Sequence, residues 1–342
     1  MVFGTLSACW APVSEVQCRL EGSVRSSTAA RSSTIAAAGE NLLWVWCDDA
    51  ACHGELQTEF GPKLWERSLG AAPDGGVAGR PRPAAAVTSA GMVFVGVLTP
   101  RGPGSGRVEV EALSLSDGVR RSTAGWELIE QDLRMLFTAH QEGFLVARDF
   151  NVVGEGLDQP YGQFDVLDES LVKAGWLFYP DNTTLSPAAM SGVESTLVVA
   201  FDRRVVRRVR FSPTPKPEDL DAAAEVIVSS SALERLASSR DARLVAGATE
   251  KDVVLSNGVR LEGPVASLAI DSFGPAGILA TGTSEGVQLW AVPGSGAVPQ
   301  RIGAVERASA PALVVTSPGS FVLAFQADGE SHLQRYACSG LE

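Results

Sequence analysis

Five cysteines, three histidines and two clusters of charge are the residues of this chain whose types and spacing could do chemistry. Cys47 and Cys52 bracket the stretch CDDAAC. A C-x4-C spacing across a tight turn between two strands sets the thiols opposite one another, which predicts a disulfide with Asp48 to Ala51 as its loop. His53 follows directly, and two cysteines with one histidine would begin a metal site, but tetrahedral zinc needs four ligands and no second cluster accompanies them. No metal and no cofactor is therefore expected. His53, His140 and His332 are scattered, with no nucleophile signature such as G-x-S-x-G nearby, so they read as structural or solvated and no catalytic residue is expected. Asp149, Glu155, Asp158, Asp165 and Asp168 crowd RDFNVVGEGLDQPYGQFDVLDES. Carboxylates converging on one point could cleave a glycoside or hold calcium, but no EF-hand spacing is present and the stretch reads as a solvated hairpin. The run DRRVVRRVRF holds Arg203, Arg204, Arg207, Arg208 and Arg210. Strand alternation puts Arg204, Arg208 and Arg210 with Val206 on one face, and Arg203 and Arg207 with Val205 and Val209 on the other. Such a strand resists edge pairing, and it could also meet an acidic partner or anionic headgroups, which makes these arginines the candidate partner-binding residues. The adjoining SPTPKPEDLDAAAE reads as a Pro-rich loop ending in a short helix, well placed to touch a partner.

The elements that would carry these residues are strands. Short runs of Val, Leu, Phe and Ala alternate with Gly, Ser, Asp and Pro, and almost no stretch shows helical spacing. One unit recurs seven times: a small-residue strand, a turn, then a strongly apolar strand, as in TIAAAGENLLWVW, AAAVTSAGMVFVGV and LVVTSPGSFVLAFQAD. The second strands start at Leu42, Val93, Phe144, Leu197, Leu244, Ile278 and Val322, a spacing of 34 to 53 residues. That spacing suits β-propeller blades of roughly 40–50 residues. Small residues such as Ala36 to Ala38 and Ala84 to Ala86 fit strands lining a narrow channel, and continuous apolar strands fit positions covered on both faces. A large multi-sheet sandwich is the alternative. The expected fold is all-β, a seven-bladed propeller occupying residues 13–342 as one domain, with 1–12 as an N-terminal tether.

In the sixth copy, GILATGTSEGVQLWAVPGSG resembles a WD40 repeat through Ala280-Thr281-Gly282, Ser284-Glu285-Gly286 and Val287-Gln288-Leu289-Trp290, although Ala291 stands where that family has Asp and no Gly-His pair precedes it. The other copies match in hydrophobic pattern only, so the resemblance implies a divergent WD40-like propeller and carries over no functional residue. The seventh copy has strands at Leu313 to Val315, Phe321 to Phe325 and His332 to Cys338 but lacks a fourth, and Val13 to Leu20 supplies a candidate. Closing the ring by that pairing leaves no raw edge and brings Cys18 beside Cys338, which predicts a second disulfide, with two buried free thiols as the alternative.

Two pairs leave Cys9 alone, and an odd cysteine in an oxidising compartment needs an explanation. LSAC, Leu6 to Cys9, resembles the bacterial lipobox, which implies lipidation at Cys9 and a lipid-anchored protein of the bacterial cell envelope, in the periplasm or on the outer membrane. Glu21 to Ser33 is Ser-rich and reads as an exposed connection into the first complete blade. With 45% hydrophobic residues the chain can bury a large core, and its net charge of −12 and pI near 4.9 argue against nucleic acid as a partner. No apolar run reaches the roughly 18 residues of a membrane helix, so contact with a membrane is expected only through a lipid anchor. The expected function is a non-enzymatic interaction scaffold for protein partners in a membrane-associated assembly. The alternatives are a carbohydrate-active or carbohydrate-binding propeller with its site over the channel, and a cytoplasmic WD40-like scaffold.

Overall fold

The computed structural model describes residues 15–341 apart from 39, 50, 59–60, 72–81, 88–90, 103–104, 130–134, 141–142, 155–156, 168–169, 172, 179–191, 194–195, 202–203, 211–223 and 295. Its strands assemble into seven four-stranded antiparallel sheets. β1 (Gln17–Ala29) precedes the first sheet, which is β2 (Ser32–Ala38), β3 (Asn41–Cys47), β4 (Ala51–Thr58) and β5 (Lys63–Ala71). The second comprises β6 (Arg82–Val87), β7 (Met92–Gly102), β8 (Ser105–Ser114) and β9 (Arg120–Ile129). The third is β10 (Met135–His140), β11 (Gly143–Gly154), β12 (Leu157–Leu167) and β13 (Lys173–Phe178), and the fourth β14 (Gly192–Val193), β15 (Thr196–Phe201), β16 (Val205–Arg210) and β17 (Ala224–Val228). The fifth holds β18 (Arg235–Ser238), β19 (Val245–Ala248), β20 (Asp252–Leu255) and β21 (Arg260–Glu262). The sixth holds β22 (Ser267–Phe273), β23 (Ala276–Gly282), β24 (Gly286–Val292) and β25 (Gln300–Glu306). β26 (Ser309–Ser317), β27 (Ser320–Ala327) and β28 (Glu330–Ser339) make the seventh, and β1 pairs with β28 as its fourth strand.

The second strand of each sheet is the most apolar. Leu42 to Cys47, Val93 to Val95, Ile278 to Ala280 and Phe321 to Phe325 are buried without interruption. Unbroken burial requires cover on both faces, and neighbouring sheets supply it. One apolar cluster joins Leu43 and Val45 of the first sheet to Val93, Val95 and Leu113 of the second. Others join the fourth sheet to the fifth, the fifth to the sixth and the sixth to the seventh. The seventh also packs on the first, where Val314, Val322, Ala324 and Leu333 meet Ile35, Leu42, Trp44 and Trp46. β10 touches both β6 and β14, linking the third sheet to its neighbours.

Antiparallel order divides the turns between two ends. The turns from first to second and from third to fourth strand lie at one end, the hairpin end; the middle turn and the sheet-to-sheet connections lie at the other, the link end. Trp65, near the start of β5, donates its indole N–H to the Leu115 carbonyl in the β8–β9 turn at 2.9 Å, so the hairpin ends of the first two sheets are aligned. At the link end, side chains cap the turn backbone: Asp48 accepts the Ala51 N–H at 2.7 Å and Thr249 accepts the Asp252 N–H at 3.1 Å.

The stretch expected to be an exposed connection, Glu21 to Ser33, is instead mostly strand: β1 runs to Ala29, and only Ala30 and Arg31 intervene before β2. Ser23, Arg25 and Arg31 are exposed, while Val24 packs on the core and Ser26 is buried, its hydroxyl accepting the Ser331 N–H at 3.1 Å. The ladder to β28 supplies order that the composition does not advertise. The tether segment 1–12, with Cys9, lies outside the described residues, as does the Pro-rich loop up to residue 223.

Candidate functional site

The densest polar construction is built on the turn Ser239-Arg240-Asp241-Ala242-Arg243, between β18 and β19 at the hairpin end. The turn is fixed from within: the Ser239 hydroxyl donates to Asp241 at 2.6 Å and accepts the Leu244 N–H at 3.0 Å, and Ala242 sits at φ 55°. From this base Arg240 reaches Asp271 on β22. Its backbone N–H meets one carboxylate oxygen at 3.1 Å and its Nε the other at 2.9 Å. Asp271 also accepts the Val315 N–H of β26 at 2.8 Å, and the Arg240 guanidinium closes the loop by donating to the Val315 carbonyl. Asp241 accepts the Ser272 hydroxyl at 2.7 Å. On the other side Arg208 of β16 donates from Nε to the Ala242 carbonyl at 2.6 Å and from Nη2 to the Arg243 carbonyl. One five-residue turn thus ties the fourth, fifth, sixth and seventh sheets together.

Asp271 is 1% exposed. Burial pushes its carboxyl upward, opposed by the Arg240 guanidinium and the amides that face it. Burial likewise pulls the Arg208 guanidinium down, with Asp241 acting against it. Charges so enclosed must be partnered, which is why the carbonyls of a neighbouring turn are recruited. A second junction binds the first sheet to the second: Arg67 donates to the Gly118 carbonyl at 2.5 Å, and Glu111 lies 3.7 Å from Arg67 and 3.5 Å from Arg120.

The sequence-selected residues fall as follows. Cys18 and Cys338 stand directly opposite in the β1–β28 ladder and form a disulfide, with Cα atoms 4.0 Å apart. Cys47 and Cys52 do the same across the β3–β4 turn, at 3.9 Å. Of the arginine run, Arg203 lies outside the described residues and Arg204 is exposed in the turn before β16. Arg207 pairs with Glu225 on the adjacent strand at 3.1 Å, and Arg208 belongs to the four-sheet clasp. Arg210 ends β16. The run is therefore not one basic surface: Val206, predicted on the face of Arg208, is fully buried, and that face points into the fifth sheet.

His53 lies 3.0 Å from Asp48 and stacks on Trp46, and His332 stacks on Phe325 with its ring nitrogen 3.3 Å from the Ala327 carbonyl. His140 ends β10. Among the described residues no three His, Cys, Asp or Glu side chains gather as a metal site would need. Of the acidic cluster, Asp149 sits opposite Gly162, Asp158 opposite Val153 and Asp165 opposite Val146, spread along the β11–β12 ladder, while Glu155 and Asp168 lie outside the described residues.

No protein-family model and no curated protein matches this sequence. Solved structures do match its shape. The Cps50 (Swd1) β-propeller domain of Myceliophteria thermophila aligns over 93% of this chain and 99% of its own with TM-score 0.53 and 11% identity. U3-55K aligns over 93% and 98% with TM-score 0.55 and 12% identity. The fold is a β-propeller. At such identities the likeness extends to the fold alone. In propeller terms the sheets are blades, and the sixth places Trp290 on its third strand, the indole N–H meeting the Thr281 hydroxyl of the second at 3.2 Å.

Proposed function

We propose that this propeller is a closed ring of seven blades, locked by the Cys18–Cys338 bond, that serves as a rigid, non-enzymatic interaction scaffold within a larger protein assembly of the bacterial envelope. The observation that carries the scaffold reading is that charged side chains, two of them the buried Asp271 and Glu111, are spent on the junctions between blades. Asp271, Arg240, Arg208, Asp241 and Glu111 hold blades to one another, which is what a platform that must keep its shape under a partner's load requires. Closure is supported by the packing of the seventh blade on the first and by the pairing of β1 with β28. The compartment is supported by two disulfides, bonds that persist where thiols are not kept reduced. Cys9, left without a pair, is then the site of lipidation, and exposed Arg204 is the member of the arginine run best placed to reach a partner.

Size-exclusion chromatography of native membranes solubilised in mild detergent tests the reading. The chain is expected in a complex well above its own 35.8 kDa. Elution as a monomer from both membrane and soluble fractions would overturn the scaffold assignment.

A further inference from the structure

We propose that the hairpin end of the propeller is its membrane-facing side, resting on an anionic lipid surface. This rests on the envelope reading above. Among the described residues the large exposed apolar side chains are Leu20, Leu64, Val119, Val228, Phe273 and Val298. Strand order puts Val119 and Val298 in hairpin-end turns, Phe273 at the last residue of β22, Leu64 at the second residue of β5 and Leu20 near the start of β1, at that same end. Val228 alone closes a strand at the link end. Position at a strand end is no reason for a Phe to be half exposed, and four blades do this on one side only.

Exposed cations stand beside several of these tips, although exposed Glu21, Glu40 and Glu66 share this end. Val119 is followed by exposed Arg120 and Arg121, with exposed Asp117 in the same turn and Glu111 3.5 Å from Arg120. On the sixth blade the loop carrying Val298 lies on the turn that follows Phe273, since a Cβ added at Gly294 would stand 2.4 Å from that of Pro275. This ridge is flanked by Arg243, two-thirds exposed, in the neighbouring turn and by exposed Arg301. The link-end tips carry the acids Asp49, Glu250, Glu285 and Asp328, together with exposed Arg31, Arg204, Lys251 and Arg307, and there Arg31 is paired with Asp49.

Separate apolar tips spread over several blades do not make the contiguous, fully buried centre of a protein interface. They suit a plane into which each tip dips while the neighbouring cations meet anionic headgroups. The tether agrees. β1 begins at this end, with Cys18 against Cys338, and Cys9 precedes Gln17 by eight residues. Eight residues span at most about 28 Å, so an acyl group on Cys9 would hold this end, and not the link end, against the bilayer.

The test is flotation of the purified, acyl-free C9A chain with vesicles of phosphatidylcholine containing about one third phosphatidylglycerol, compared with phosphatidylcholine alone. Flotation is expected with the anionic vesicles and lost in high salt. R121E/R301E and F273S/V298S, all at exposed positions, are each expected to lower partitioning about tenfold or more, while the link-end variant K251E behaves as wild type; thermal melts establish that each variant is folded. Equal binding to neutral vesicles, indifference to the hairpin-end variants or no flotation would overturn the proposal. So would retention on immobilised polyglutamate without vesicle binding, which would assign this end to an acidic protein. None of these outcomes touches the scaffold reading, which is read on the native complex.

Discussion

Removing the Cys18–Cys338 bond, as C18A/C338A, is the perturbation whose size follows most directly from the proposed ring closure. The bond joins residues 320 apart, whereas Cys47–Cys52 joins residues 5 apart. Chain entropy for a loop of the first length corresponds to about 5–6 kcal/mol at 25 °C and for the second to about 2 kcal/mol. Besides that bond, β1 is held by its ladder to β28 and by the ion pairs Glu21–Arg335 and Arg25–Glu330. Gln17, Arg19, Leu20, Glu21, Ser23 and Arg25 are exposed, Val24 and Ser26 make its inward contacts, and a bulge at Glu21 interrupts the ladder. Unfolding entropy near 2.1 cal/mol/K per residue converts the two losses to about 8 °C and about 3 °C in melting temperature for a chain of this length. Calorimetry of C18A/C338A beside C47A/C52A, both under non-reducing conditions, makes the comparison internal, because each removes two sulfurs from partly or fully buried sites. A loss for C18A/C338A no greater than that for C47A/C52A would refute the reasoning.

Asp271→Ala leaves the buried Val315 amide without its acceptor and frees the half-exposed Arg240, and the cost expected from urea midpoints is about 1–3 kcal/mol; a change within about 0.5 kcal/mol would mean the four-blade clasp is not formed. Gly118→Ala must adopt φ 66° and bring Cβ to 2.7 Å from the Trp65 ring, while Gly91→Ala shares a positive φ of 79° with open space around it. Each carries about 1–2 kcal/mol of backbone strain, so the first should destabilise more and shift the tryptophan emission; equal costs would disprove the Trp65 contact. Asp252 is held below the usual carboxylate range, first by the Thr249 hydroxyl and then by Arg260. A depressed folded-state pKa adds stability that is present above the unfolded value of about 3.9 and lost as pH falls through the folded one. The stability gap between wild type and Asp252→Asn should therefore be full near neutrality and close under acid, and a gap independent of pH would contradict the assignment.

The repeat was legible because a strand covered on both faces must be apolar throughout, and Leu42 to Cys47 or Phe321 to Phe325 announce that without any neighbour in view. The pairing of Cys18 with Cys338 was legible only after the last blade proved one strand short. The clasp was not, since Arg240 finds Asp271 and Val315 across 31 and 75 residues of sequence, from turns with no periodic pattern. Alternation placed Arg208 and Val206 together correctly, yet could not say that their face meets the next blade and not solvent. β1 was under-read because Ser and Arg on an outer strand look like a loop until the β28 ladder is known. The hairpin read from the acidic stretch is the β11–β12 pair, but which residues stand opposite Asp149, Asp158 and Asp165 needed the register.

The most direct measurement is non-reducing peptide mass spectrometry of the protein purified from its native cells. A Cys18–Cys338 link, a Cys47–Cys52 link and an acylated Cys9 are the predicted result, fixing ring closure and envelope tethering together. Free thiols at all five cysteines with an unmodified N-terminus would contradict it and leave a reduced, cytoplasmic propeller in its place.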